Sequence, residues 1–130
     1  MNEFKYHGKT LEELNKMELK DFIALIPSRM RRSLKRGFTD KQKSLLKKID
    51  LILQGKYKKQ IKTHCRDMII LPKMVNLTIC VHAGRTFEPI KIQPEMLGMR
   101  LGQFTLTRKK IAHSAPGVGA TKSSAAASVK

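Results

Sequence analysis

Two apolar rhythms share this chain without overlapping. Between Asp40 and Gln54, Leu45, Leu46, Ile49, Ile52 and Leu53 recur at helical spacing. At about 100° per residue they fall within roughly a 120° arc, the mark of one buried helix face. From Asp67 onward the period drops to that of a strand: Leu77, Ile79 and Val81 alternate with Thr78, Cys80 and His82. A helix with one apolar face followed by a meander of strands predicts an α+β fold, with N-terminal helices packed on a small antiparallel sheet. At 130 residues the chain suffices for one such body.

Capping and breaking residues place the other elements. Thr10 and Glu13 have capping-box spacing, predicting a short helix whose stripe is Leu11, Leu14 and Met17. A second short helix covers Glu18 to Leu25, carries Phe22, Ile23, Leu25 and Ile26, and ends at Pro27. Ser28 is placed to cap a basic helix through Arg36, with Gly37 as its stop. Thr39 caps the long helix and Gly55 closes it, while Leu51 lies off its stripe. Met68-Ile69-Ile70-Leu71 reads as a buried strand closed by Pro72. Ala83-Gly84-Arg85 reads as a hairpin turn into a strand over Thr86–Ile92, where Pro89 demands an edge position or a bulge. Pro94 to Gly98 reads as one helical turn.

Residues 107–130 are different material. They hold three large aliphatics (Ile111, Val118, Val129), five basic side chains and no acid. Such a segment cannot bury enough apolar area to offset the entropy of ordering it. The chain thus divides into a helical extension with the amphipathic helix (1–60), a small sheet completing one α+β body with that helix (61–106), and an extended basic C-terminal tail (107–130).

Charge narrows the function. Lysine and arginine number 27 against 10 acids, a formal net +17. Residues 1–26 hold four lysines and five acids, so the excess lies entirely after Pro27, and no acid follows Glu95. Self-repulsion of that size works against a compact fold, and a polyanion relieves it; nucleic acid is the commonest one. No apolar run approaches the ~20 residues of a membrane span. The N-terminus carries acids and no apolar secretory segment, so a cytoplasmic location is expected. Cys65 and Cys80 in such a chain point to a reducing compartment rather than a disulfide framework.

Catalytic and metal chemistry find little support. His7, His64, Cys65, Cys80, His82 and His113 have no ligand-pair spacing, so neither a metal nor a cofactor is expected. His64 and Cys65 are adjacent, and neighbours on an extended chain face opposite ways. Glu88 and Glu95 are isolated acids, and a nuclease would want them clustered. Pro116-Gly117-Val118-Gly119-Ala120 lacks the ending of a phosphate loop. The basic helix is more telling. Arg29, Arg32 and Arg36 share one side, Met30 and Leu34 another, and no acid lies between Ile26 and Asp40. Planar guanidinium forks on one face suit phosphate. A DNA-binding regulator using residues 28–36 would need base-reading side chains and a dimer face, and neither is evident.

From Thr63 the residues become familiar. Thr63-His64-Cys65-Arg66-Asp67-Met68-Ile69-Ile70-Leu71-Pro72-Lys73-Met74-Val75 resembles a signature of the universal small-subunit ribosomal protein nineteen family. Val81-His82-Ala83-Gly84-Arg85-Thr86-Phe87 resembles its hairpin. Pro94 to Gly98 with Leu101 to Thr107, and Pro116 to Ser124, are similar to its later blocks. Tyr6 to Leu11 and Arg31 to Gly37 resemble the extension of archaeal and eukaryotic members. Asn76 stands where the family usually has glycine, Met99-Arg100 where it has a His-aromatic pair, and Gln103 where it has an acid.

The resemblance implies a structural, non-enzymatic constituent of the small-subunit head that supports translation. It implies binding to small-subunit rRNA beside the ribosomal protein thirteen family and an approach to the large subunit at an intersubunit bridge. The tail would then run toward the decoding site and possible contact with tRNA. With the charge pattern, it nominates Arg29, Arg31, Arg32, Lys35, Arg36, Lys62, His64, Arg66, Lys91, Arg108, Lys109 and Lys110 for rRNA, and His113, Gly117, Gly119 and Lys122 for the tail's path.

Overall fold

Helix starts follow the capping chemistry. Thr10 Oγ1 accepts from the Glu13 amide and Glu13 Oε2 accepts from the Thr10 amide, closing a reciprocal box at the head of α1 (Leu11–Lys16). α2 (Leu19–Leu25) runs into Pro27, and α3 (Ser28–Lys35) follows at once. Thr39 and Gln42 form a second box at the start of α4 (Asp40–Leu53). This computed structural model describes residues 3–112 and Gly117. Strands β1 (Ile61–Thr63), β2 (Thr78–His82) and β3 (Phe87–Lys91) form one sheet, and 3₁₀ turns lie at Pro72–Met74, Pro94–Met96 and Leu101–Phe104.

The class is α+β, as expected, but the sheet is mixed rather than purely antiparallel. β2 sits in the centre, antiparallel to β3 and parallel to β1. The intervening residues 64–77 make the long crossover that parallel pairing requires. β3 is an edge strand, as Pro89 demands. The Ala83 and Ile92 amides donate to Thr86 and Leu77. Counting along the ladder, Pro89 opposite Cys80 falls on a non-hydrogen-bonded pair, so its missing N–H faces the open edge.

Three expectations are corrected. Met68 to Leu71 are buried but form no strand of the sheet; they meet residues 98–101 at one isolated bridge, Ile69 to Arg100, where the Ile70 amide donates to Met99 and the Gly98 and Leu101 amides donate to Ile70 and Met68. Only residues 97–100 separate the two 3₁₀ turns, so the pairing stops before it becomes a ladder. Ser28 does not cap α3: Pro27 is the N-cap, its carbonyl accepts from the Arg31 amide, and Ser28 is the first helical residue. Leu53, counted in the apolar stripe, is 55% exposed, because α4 ends there before any element covers it. Leu45 and Ile49 carry the buried face of α4, joined by Phe22, Ile26, Ile61, Ile70, Met74, Ile79, Val81, Ile92 and Leu101 in one core. Cys65 and Cys80 are buried and free.

Two arginines tie the elements together. Pro27 has no N–H to offer the end of α2, and Arg31 Nη2 reaches back to donate to the Ala24 and Ile26 carbonyls at 3.2 and 3.1 Å. Arg66 Nη1 donates to the His82 carbonyl at 2.7 Å, and its Nη2 to Gly102 at 2.9 Å and to Thr105. One fork thereby joins β1's exit, β2's end and the last 3₁₀ turn. A Cβ on Gly102 would lie 2.9 Å from the Arg66 carbonyl oxygen, so glycine is required for this approach. Asn76 has φ +67°, a left-handed backbone that glycine adopts most readily, and its amide donates to Ile92.

Arg66→Ala is expected to destabilise the fold by about 3 kcal/mol, since three carbonyls lose a charged donor. Arg66→Lys should recover less than half, because a point charge cannot serve the fork's directions. Urea unfolding checks both. In the same assay Asn76→Ala should cost about 1 kcal/mol and Asn76→Gly much less.

Candidate nucleic-acid interface

The sheet has two chemically opposed faces. Register places Ile61, Thr63, Ile79, Val81 and Ile90 on one side, all buried. The alternate residues, Lys62, Thr78, Cys80, His82, Phe87, Pro89 and Lys91, take the other, with Gln60 and His64 continuing it beyond β1's ends. Lys62, His64 and Lys91, three of the nominated residues, are exposed there together. His82 and Phe87 stand between them, half-buried, and Lys62 Nζ lies 5.6 Å from the Phe87 ring centre.

Lys62 and His64 also border a furrow between α4 and β1. Lys41, Ser44, Leu45, Lys48, Thr63 and Cys65 complete its lining, around a hollow of about 480 Å³. A second hollow shares Lys48 and Lys62 and adds Tyr57, Lys59 and Gln60. No acid lines either one. Lys41 and Lys48 had a sequence signal: they flank the apolar stripe of α4, so burial of the stripe sets them on the rim of whatever packs beside it. Lys59 and Tyr57 had none, because they lie in the irregular link to β1.

α3 supplies a second basic surface. Leu34 is buried and Met30 partly so, which turns Arg29, Arg32, Lys35 and Arg36 to solvent. The ion pairs among the described residues are Lys43–Asp40, Lys73–Asp50 and Lys109–Glu88, none of them on α3. The nominated arginines are therefore of two kinds. Arg29, Arg32 and Arg36 are open to a ligand, whereas Arg31 and Arg66 donate to backbone carbonyls within the fold.

Arg108, Lys109 and Lys110 are exposed, with Lys109 Nζ 3.8 Å from Glu88 Oε1 on β3. Gly117 is exposed. His113, Gly119 and Lys122 lie outside the described residues. Among the described residues no group of three or more His, Cys, Asp or Glu side chains could hold a metal ion, and no helix is long and apolar enough to cross a membrane.

Residues 32–113, more than half of the chain, match the family model described as Ribosomal protein S19. The chain belongs to the ribosomal protein S19 family. It is thus a ribosomal protein of the small subunit, a ribonucleoprotein component that binds rRNA and serves translation. The matched span begins within α3 and takes in α4, the sheet and the Arg66 staple. α1, α2 and the first half of α3 precede it. For an S19 protein, the furrow and the outer sheet face lie wholly within the family's span, and Arg29 and Arg31 lie just outside it.

Replacing Lys41, Lys48 and Lys62 together by Ala should lower the slope of log affinity for small-subunit rRNA against log salt by about 2, at about 0.7 to 0.9 per contact. The thermal midpoint should stay nearly constant, since all three are exposed. Filter binding over a salt series checks it; an unaltered slope removes the furrow from the interface.

Proposed function

We propose that this S19-family chain is a non-catalytic rRNA clamp of the small-subunit head. One observation carries the reading: the apolar atoms are gathered behind the sheet while α3, the furrow and the outer sheet face present cations with no acid among them. Such a surface is repulsive to itself and is satisfied by a polyphosphate chain. A-form RNA hides its base edges in a deep groove, so backbone and shape contacts dominate. Arg29, Arg32, Lys35 and Arg36 hold one stretch of backbone, and Lys62, His64 and Lys91 with the furrow lysines hold another.

In this reading the body docks beside a protein of the ribosomal protein thirteen family and approaches the large subunit at an intersubunit bridge. Tyr6 to Leu11 and Arg31 to Gly37 belong to the extension found in archaeal and eukaryotic members. Arg108, Lys109 and Lys110 begin a path along RNA that the tail continues through His113, Gly117, Gly119 and Lys122 toward the decoding site, within reach of tRNA. The location is the cytoplasmic ribosome. No metal or cofactor takes part.

The test is fractionation of a cell extract on a sucrose gradient in moderate salt, following the chain in the small-subunit peak. Arg29→Ala with Arg32→Ala should weaken its incorporation and reduce the salt slope on rRNA by about 1.5, leaving the fold intact. Arg31→Ala should act differently, lowering stability by about 1 to 2 kcal/mol through the freed carbonyls of α2. A wild-type chain absent from small subunits overturns the assignment. Crosslinks from Lys110 and Lys122 to rRNA locate the tail.

A further inference from the structure

Three rings line up across the sheet. His64 follows β1, His82 ends β2 and Phe87 begins β3 directly opposite it. His64 and His82 lie 4.4 Å apart between centroids at 31°. Phe87 stands edge-on to both, 5.1 Å from His64 at 82° and 5.0 Å from His82 at 71°. Every ring touches the other two, so the cluster is closed and each member holds the others in place. His82 is further fixed because its Nδ1 accepts from the Gly84 amide at 3.2 Å, which leaves the proton of the neutral ring on Nε2.

The cluster lies on the wrong side of the sheet to serve the core. Ile61, Ile79, Val81 and Ile90 already fill the inner face. Aromatic surface held rigid on a solvent face is a place where something flat can dock. Its neighbours specify what. Lys62 shares the face and leans over Phe87, Lys91 lies two rows away, and the furrow lined by Lys41 and Lys48 begins at His64 itself. Glu88, the acid of β3, registers with Val81 on the other face and pairs with Lys109. Flat rings bordered by cations complement a nucleotide: a base for the rings, phosphates for the lysines.

We propose that His64, braced by His82 and Phe87, is a stacking platform for one unpaired RNA base, whose flanking phosphates run over Lys62 into the α4–β1 furrow. His64 is the exposed member of the three and so meets the base. Duplex RNA cannot offer a base face, so the nucleotide comes from a bulge, loop or single-stranded joint. This deepens the rRNA-binding reading and rests on it, but it adds a requirement that reading lacks, namely that affinity depend on bases and not on charge alone.

The experiment uses the full chain and two single-stranded probes of equal charge, about ten nucleotides long. One is oligoadenylate with a central 2-aminopurine; the other is an abasic ribose-phosphate strand. The chain should bind the adenylate about tenfold more tightly and quench the 2-aminopurine fluorescence. His64→Ala should bring the two affinities together and abolish the quenching, while His64→Phe, which keeps a ring, should retain both. Lys62→Ala should weaken both probes alike. Equal binding of the two probes by the wild-type chain, or an undiminished ratio in His64→Ala, overturns the platform while leaving charge-driven rRNA binding in place. Failure of the wild-type chain to bind either probe at low salt overturns both.

Discussion

The Arg66 fork is the constraint on which the rest depends. Its side chain leaves the crossover between β1 and β2 and joins the carbonyls of His82, Gly102 and Thr105, groups that lie 16, 36 and 39 residues further along the chain. Fixing the end of β2 fixes the hairpin, and with it the ring cluster. Fixing Gly102 and Thr105 brings Leu101 into the core, fully buried, and ends the body just before the basic tail begins. A guanidinium can do this because it is planar, permanently charged and five-donor. A neutral or point-charged side chain would leave carbonyls unserved at the junction of three segments.

Around this junction the molecule separates two tasks that usually compete. Apolar burial is drawn inward to a small set of residues behind the sheet, so the cations need not share space with the core. The segment after the sheet makes local contacts of its own. Gln103 Oε1 accepts from the Arg100 amide at 3.2 Å, and Arg100 Nη2 donates to Ser33 Oγ at 3.1 Å, linking α3 to the segment after the sheet. Asn76 keeps the left-handed turn that a glycine would adopt more freely.

The helices were readable because their signals are local: Thr10 with Glu13, Thr39 with its first turn, and Pro27 and Gly37 as stops. The hairpin was readable for the same reason, and Pro89 correctly demanded an edge. Met68 to Leu71 misled because an unbroken apolar run reports burial and says nothing about pairing. β1 was invisible, being too short to display alternation. The candidate interface is legible in the sequence as charge but not as geometry. Composition cannot separate Arg29, which faces water, from Arg31 and Arg66, whose donors are engaged by carbonyls that only the folded chain brings near. His82 and Phe87 joined His64 through cross-strand register, a relation that depends on which strands pair.

Pro89 has one more consequence. β3 is one of the sheet's two border strands, and an open border is a template for other extended chains. By turning a nitrogen without hydrogen toward that border, the protein withholds one of the donors an incoming strand would need. The same residue that is neutral to the sheet's own ladder thus leaves that border a poorer template for strand addition.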